Sequence, residues 1–182
     1  MEIIPTAIED VKILIPRVFK DNRGYFTETY VKDRFAEVFD AEFVQDNQSQ
    51  SIKKGTIRGL HFQKPPFAQG KLVRVLRGEI LDIAVDLRQN SPTFGKWVCE
   101  VLSEDNFKQL WIPRGFAHGF VTLAENTIVS YKVDAPYNQK SEGGIIFDDP
   151  VLAINWGINR SQATLSDKDL TLPMFSQLEQ VF

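Results

Sequence analysis

An all-β sandwich or barrel is the fold class this sequence predicts, on three observations. Apolar and polar residues alternate with period two over several runs, turn residues punctuate those runs, and one short stretch has helical spacing. The helical stretch comes first, around Val31 to Phe39, where Phe35, Val38 and Phe39 fall on one side. The run RGLHF (Arg58 to Phe62) is apolar and strand-like. Lys71 to Leu76 and Glu79 to Leu87 flank Arg77-Gly78 and read as two strands joined by a tight turn. In the second of these, Leu81, Ile83, Val85 and Leu87 share one face while Asp82 and Asp86 take the other. Further strands are expected at Lys96 to Leu102, Gln109 to Ile112, Ala117 to Leu123 and Thr127 to Val133. Ser91-Pro92, Pro113-Arg114-Gly115 and Ala135-Pro136 supply the turns between several of them. From about Gly157 the pattern is less regular, although Ser166 and Asp169 fit a capping pattern that opens a helix. No repeat, low-complexity tract or linker divides the 182 residues, so a single domain over 1–182 is expected.

Composition narrows the function classes. Hydrophobic residues make up 43% and charged residues 25%, ordinary for a soluble globular protein. A formal net charge of −3 with no basic run argues against a nucleic-acid surface, so any anion site must be local. Cys99 is the only cysteine, which excludes an intrachain disulfide and fits a reducing cytoplasm. The opening MEIIPTAIEDVKIL reads as neither a signal nor a transit peptide. No later run is long enough to span a bilayer, so no membrane partner is expected.

The two histidines, His61 and His118, both sit in apolar runs beside glycine and arginine. An imidazole there displaces a better-packing Leu or Phe, and it exchanges protons near neutral pH. Nearby arginines suit an anionic, phosphorylated ligand. Strict alternation puts Arg58 and His61 on opposite faces, unless Gly59 hosts a bulge that brings them to one side. Read alone, this segment fits a core histidine bonded to backbone as well as it fits a catalytic base. Around His118, Phe116 and Phe120 share the same face, and an aromatic core with one satisfied imidazole is the simpler reading. With no His-x-His or Cys pair, a two-histidine facial triad has little support and no metal is expected. Lys71, Arg74 and Arg77 form a cationic stripe, ordinarily solvated, with Lys71 and Arg74 on opposite sides; a single buried lysine is enough to hold an oxyanion. Tyr131 is ordinarily core, yet its hydroxyl is a usable acid. Asp169, read alone, is a helix cap.

Seven runs then occur in a recognisable order: DNRGYFTE (Asp21 to Glu28), FVQDNQS (Phe43 to Ser49), RGLHFQ (Arg58 to Gln63), QGKLVRV (Gln69 to Val75), SPTFGKW (Ser91 to Trp97), QLWIPRGFAHGFVTL (Gln109 to Leu123) and LSDKD (Leu165 to Asp169). Over nearly its whole length the chain resembles the dTDP-4-dehydrorhamnose 3,5-epimerase family. The resemblance implies a cupin-like jelly roll with short peripheral helices, its core roughly over residues 40–150, and a tail from about 157 completing the site. It implies a homodimer without metal or organic cofactor. The implied reaction inverts C3 and C5 of a dTDP-4-keto-6-deoxysugar. Carried onto this sequence, His61 is the base with Asp169 as its partner, Tyr131 the acid on the opposite sugar face, and Lys71 the holder of the C4 oxygen. Arg23, Glu28, Gln45, Asn47, Arg58, His118, Glu142 and Lys168 fall on ligand-contact positions. Phe26 and Tyr137 would flank the thymine, and Asp82 would support the base.

That residue set suits the implied chemistry. A ketone at C4 acidifies both neighbouring C–H groups, so a stabilised enolate suffices. An imidazole with an unperturbed pKa of about 6.5 is a suitable base, and a carboxylate on its other nitrogen fixes the tautomer. Inversion also needs a proton from the far face, which one group cannot deliver. One departure stands out: Gln48 occupies a place where family members often carry His, a change that bears on ligand contacts. Other readings are inversion at C3 or C5 alone, an idle sugar-nucleotide-binding module, which an intact His61–Asp169 pair disfavours, and a metal-dependent cupin oxygenase, which the missing His-x-His pair disfavours.

Overall fold

Two antiparallel sheets face each other in the computed structural model, which describes residues 1–179 and 181–182. Thirteen strands are assigned among the described residues: β1 (Glu2–Pro5), β2 (Lys12–Ile15), β3 (Val18–Asp21), β4 (Gly24–Thr27), β5 (Gln45–Ser51), β6 (Ile57–Gln63), β7 (Lys71–Arg77), β8 (Glu79–Asp86), β9 (Trp97–Ser103), β10 (Gln109–Ile112), β11 (Phe116–Thr122), β12 (Thr127–Val133) and β13 (Glu142–Gly144). One sheet runs β1-β2-β10-β7-β12-β5 and the other β13-β6-β11-β8-β9, while β3 and β4 form a separate hairpin. This is the expected sandwich. Because β1 and β2 join the larger sheet, it starts nearer the N-terminus than the anticipated 40–150 span.

The tight turn at Arg77-Gly78 does not make a hairpin. β7 pairs with β10 and β12, whereas β8 pairs with β11 and β9 in the opposite sheet. Gly78 alone separates the two strands, too short a link for a two-residue hairpin loop, and the chain bends there from one sheet to the other. Its φ is +81°, and Thr127 Oγ1 lies 2.5 Å from where a Cβ would stand, so only glycine fits.

Alternation then sorts the side chains into three apolar layers. Val73, Val75, Ile80, Ala84, Phe116, Phe120 and Val129 fill the space between the sheets. Ile83, Val85 and Leu87 face outward, where the segment bearing Ile145, Phe147, Leu152 and Trp156 covers them. On the outer face of the larger sheet, Phe35, Val38 and Phe39 pack on Leu14, Leu72 and Trp111, with Phe39 stacked on the indole at 4.0 Å. The helix there, α1 (Lys32–Ala36), is shorter than its apolar spacing suggested; its N-cap, Val31, offers no side-chain acceptor.

Asp82 and Asp86, on the polar side of β8, point between the sheets rather than into water, and both are fully buried. Asp86 accepts from Arg88, Ser91 and Thr93, which ties down the SPTFG loop. Burial alone would raise its pKa, but these hydrogen bonds outweigh burial and hold it at about 2. A folded-state value below the ordinary 3.8 stabilises the protein fully above about pH 4, and that contribution is lost as pH falls through about 2. Asp86→Asn should therefore cost about 2 kcal/mol or more at neutral pH. In urea unfolding the gap to wild type should narrow steadily between about pH 4 and pH 2; a gap that stays constant over this range would rule out an ionic origin.

Candidate active site

One end of the sandwich interior is lined with ionisable groups where the rest is apolar. A cavity of about 380 Å³ lies there, bordered by Arg58, His61, Lys71, His118, Tyr131, Lys168 and Asp169. A smaller space of about 140 Å³ adjoins it, bordered by Gln45, Asn47, Tyr137 and Glu142, and the two share His61, Lys71 and Tyr131.

β6 delivers its two functional side chains through a bulge. His61 lies opposite His118 and Arg58 opposite Phe120, so three steps along β6 match two along β11. The extra residue brings Arg58 and His61 to the same inward face, as the Gly59 reading anticipated. Gly59 has φ +107° and sits so close to β11 that a Cβ would meet the His118 carbonyl oxygen at 2.6 Å. In β7, alternation points Lys71 inward with Val73 and Val75, and Arg74 to the other side. Tyr131, one strand over, faces the same interior.

The tail completes the lining. Thr164 forms a parallel bridge with Thr56, and Ile146 bonds Pro173 on the far side, so the segment between is held at both ends. Within it lies α2 (Asp167–Leu170), whose N-cap Ser166 accepts from the Asp169 N–H. Ser166 is thus the cap, and the Asp169 carboxylate turns to His61, with Nε2 to Oδ1 at 2.7 Å. An ionised carboxylate can only accept, so His61 carries its proton on Nε2 and presents Nδ1 as the basic nitrogen. Burial pushes the Asp169 pKa up, but the hydrogen bond and charge of His61, with the Gly59 N–H and Ser166, hold it below its ordinary value.

Burial governs three further groups, Lys71, His118 and Tyr131. It lowers the Lys71 pKa to about 8 against the pull of Asp82 and Glu142. It also lowers His118, which outweighs the raising effect of Asp82, and it raises Tyr131 against Arg58. His118 Nε2 donates to Asp82 Oδ1 at 2.6 Å, so Asp82 supports His118, not the base as expected; at 0% exposure it lies behind the cavity wall. Lys168 pairs with Glu142 at 2.6 Å across the mouth, and Tyr137 Oη donates to the same carboxylate.

Three of the expected contact residues lie elsewhere. Arg23, Phe26 and Glu28 are on or beside the β3–β4 hairpin and border neither cavity. Arg23 is paired with Asp21, Glu28 with Arg34, and Phe26 is 65% exposed. Gln48 is exposed on the outer face of β5, so its departure from the family pattern does not reach the cavity. Ser49 and Phe120 were missed as lining residues, although alternation from Asn47 and His118 points to both. Thr56, Thr164 and Leu165 gave no periodic signal. Among the described residues, no group of three or more His, Cys, Asp or Glu is arranged to hold a metal, and no helix is long and apolar enough to cross a membrane.

The fold is a cupin-like jelly roll whose two sheets present an imidazole–carboxylate pair and a phenol to one cleft, side chains able to exchange protons. The family model for dTDP-4-dehydrorhamnose 3,5-epimerase matches residues 5–177, and the chain belongs to that family. It is 50% identical over 177 residues to the dTDP-4-dehydrorhamnose 3,5-epimerase of Sinorhizobium fredii, covering 97% of this chain and 90% of that one. The solved enzyme of the same name from Bacillus anthracis, with TDP and PPi bound, superposes with a TM-score of 0.93 at 50% identity, covering 96% of this chain and 99% of that one. A dTDP-6-deoxy-D-glucose-3,5-epimerase from Legionella pneumophila, in complex with dTDP-4-keto-L-rhamnose, gives 0.93 at 44% identity, covering 98% and 94%.

The two roles separated at α2 can be measured. Ser166→Ala should lose about 1 kcal/mol of stability and keep its turnover. Asp169→Asn should keep most of its stability and lose roughly 10²- to 10⁴-fold in turnover, because the amide no longer fixes the imidazole tautomer. Equal losses of rate and stability in both variants would return Asp169 to a capping role.

Proposed function

We propose that the protein inverts C3 and C5 of dTDP-4-dehydro-6-deoxy-D-glucose to give dTDP-4-dehydro-beta-L-rhamnose. The observation that carries this reading is the placement of His61 on one sheet and Tyr131 on the other, facing a shared cleft. Inversion removes a proton from one face of a carbon and returns one to the opposite face, and two opposed walls supply those two groups. His61 Nδ1 takes the proton next to the C4 ketone, and Asp169 stabilises the imidazolium. The electron pair moves onto the C4 oxygen, which Lys71 holds as enolate. Tyr131, kept protonated by a burial-raised pKa, then protonates the carbon from the other side.

Arg58 and Lys168 suit the diphosphate, and Tyr137, exposed at the mouth, suits stacking on thymine. Gln45, Asn47 and Glu142 border the same side and take the remaining polar contacts. The enzyme works as a homodimer in which the β3–β4 hairpin brings Arg23, Phe26 and Glu28 to the partner's cleft. The exposure of Phe19, Tyr25 and Phe26 on that hairpin supports such a docking role. The single free thiol of Cys99 suits the cytoplasm.

Removal and return of the proton are separable in D2O. His61→Ala should abolish deuterium uptake at both C3 and C5. Tyr131→Phe should keep deuterium uptake, since His61 can exchange and return the proton on its own face, and lose most inversion. NMR following label and configuration at each carbon reads both. Wild-type levels of L-configured product from Tyr131→Phe would remove Tyr131 as the acid, and label at one carbon only would reduce the reaction to a single inversion.

The dimer is tested by mixing two dead variants, Arg23→Ala and His61→Ala, after unfolding and refolding together. A mixed dimer has one cleft with both His61 and the partner-supplied arginine, so activity should return towards roughly a quarter of wild type, as expected for statistical pairing. No recovery, with mixed dimers demonstrated by native mass spectrometry, would place Arg23 outside the partner's site.

A further inference from the structure

Asp82 is buried at 0% exposure on β8, and only one of its oxygens is used. Its Oδ2 is one of two buried side-chain nitrogen or oxygen atoms without a hydrogen-bond partner among the described residues, the other being Gln109 Oε1. A dry carboxylate oxygen with no donor is costly to keep, so its charge must be compensated nearby.

The compensating group follows from the charges around Lys71. β6 contributes Arg58 and His61, β11 contributes His118, β12 contributes Tyr131, and α2 contributes Lys168 and Asp169, with Glu142 at the mouth. Two of the three carboxylates in this set and behind it are already engaged. Glu142 is held by Lys168 and Tyr137, and Asp169 by His61. Of the three, Asp82 alone keeps a fully buried oxygen without a partner. Lys71 feels Asp82 as its strongest opposing influence against desolvation, ahead of Glu142.

Resting on the epimerase reading, we propose that Asp82 is a positioning residue with two effects: Oδ1 holds His118 in the tautomer that presents Nδ1 to the cavity, and Oδ2 supplies the counter-charge that keeps Lys71 an ammonium ion. An amine cannot hold an enolate, so the charge on Lys71 decides whether the C4 oxygen is stabilised. With its pKa lowered to about 8, Lys71 is close to losing that charge in the working range, and Asp82 is what keeps the loss from occurring earlier.

Asp82→Asn isolates the second effect, since the amide oxygen still accepts from His118 Nε2 while the charge is gone. The kcat–pH profile should keep its acid limb, and its alkaline limb should move down by about one unit or more, a loss of roughly fivefold or more at pH 8. In Lys71→Arg the alkaline limb should disappear, because a guanidinium does not deprotonate in this range. An alkaline limb in Asp82→Asn that coincides with wild type overturns the proposal. If Asp82→Asn does not fold, Asp82→Ser, a smaller neutral side chain that still offers an oxygen to His118, takes its place: ¹³Cε NMR of its lysines, with Lys71 identified by its loss in Lys71→Arg, should show a Lys71 midpoint about one unit or more below that of wild type. A Lys71 midpoint unchanged from wild type when the Asp82 charge is removed overturns the proposal. This titration is readable without turnover, so a wild-type protein that converts no ketosugar would count against the epimerase reading and leave the assignment of Asp82 to be judged separately.

Discussion

The 2.7 Å hydrogen bond from His61 to Asp169 joins residues 108 positions apart, and the site is arranged around it. It requires β6 to turn His61 inward, which takes the bulge at Gly59. It also requires the tail to lie across the mouth of the sandwich, which takes the bridge at Thr56–Thr164 and the Ser166 cap. With those met, the tautomer of the imidazole is settled by the carboxylate, and the basic nitrogen is the one left over. The apolar layer under the tail keeps α2 in place from outside the sheet.

A jelly roll is suited to this chemistry because its interior is a slot between two independent walls. Most of the slot is closed by apolar packing around Val73, Ile80, Phe116 and Val129. At one end the same inward positions carry Lys71, His118, Tyr131, Arg58 and His61 instead. Low polarity then acts on three of them: it keeps Tyr131 protonated, His118 neutral and Lys71 only moderately basic. The environment that a packed core needs is also what makes these side chains reactive.

Asp82 and Asp86 share one face of β8, four residues apart, and show two uses of a buried carboxylate. Asp86 has its oxygens filled by Arg88, Ser91 and Thr93 and serves the loop that follows it. Asp82 holds one imidazole and leaves an oxygen open beside the cavity wall. The contrast lies in the partners and not in the strand: a saturated carboxylate stabilises a fold, and an unsaturated one exerts its charge on the site.

The sandwich class, the two faces of Glu79 to Leu87 and the opposite sides of Lys71 and Arg74 were legible in the order of residues, and Gly59 marked the place where a bulge would bring Arg58 and His61 to one side. Each follows from period-two alternation and one glycine, which are local properties. The ordered motifs also pointed to the family. They did not show that Gly78 sends the chain into the opposite sheet, because a turn signal is silent about which strands pair afterwards. Local patterns left Asp169 as a cap, and the family likeness placed Asp82 with the wrong histidine. Both contacts, to His61 and to His118, span 108 and 36 positions, beyond the reach of any capping or alternation pattern. The remote position of the Arg23 hairpin also emerged only once the sheets were assembled. A side chain's chemistry is written in its residue type, but its partner is chosen by which distant segments the packing of the two sheets and the tail brings within a few ångströms.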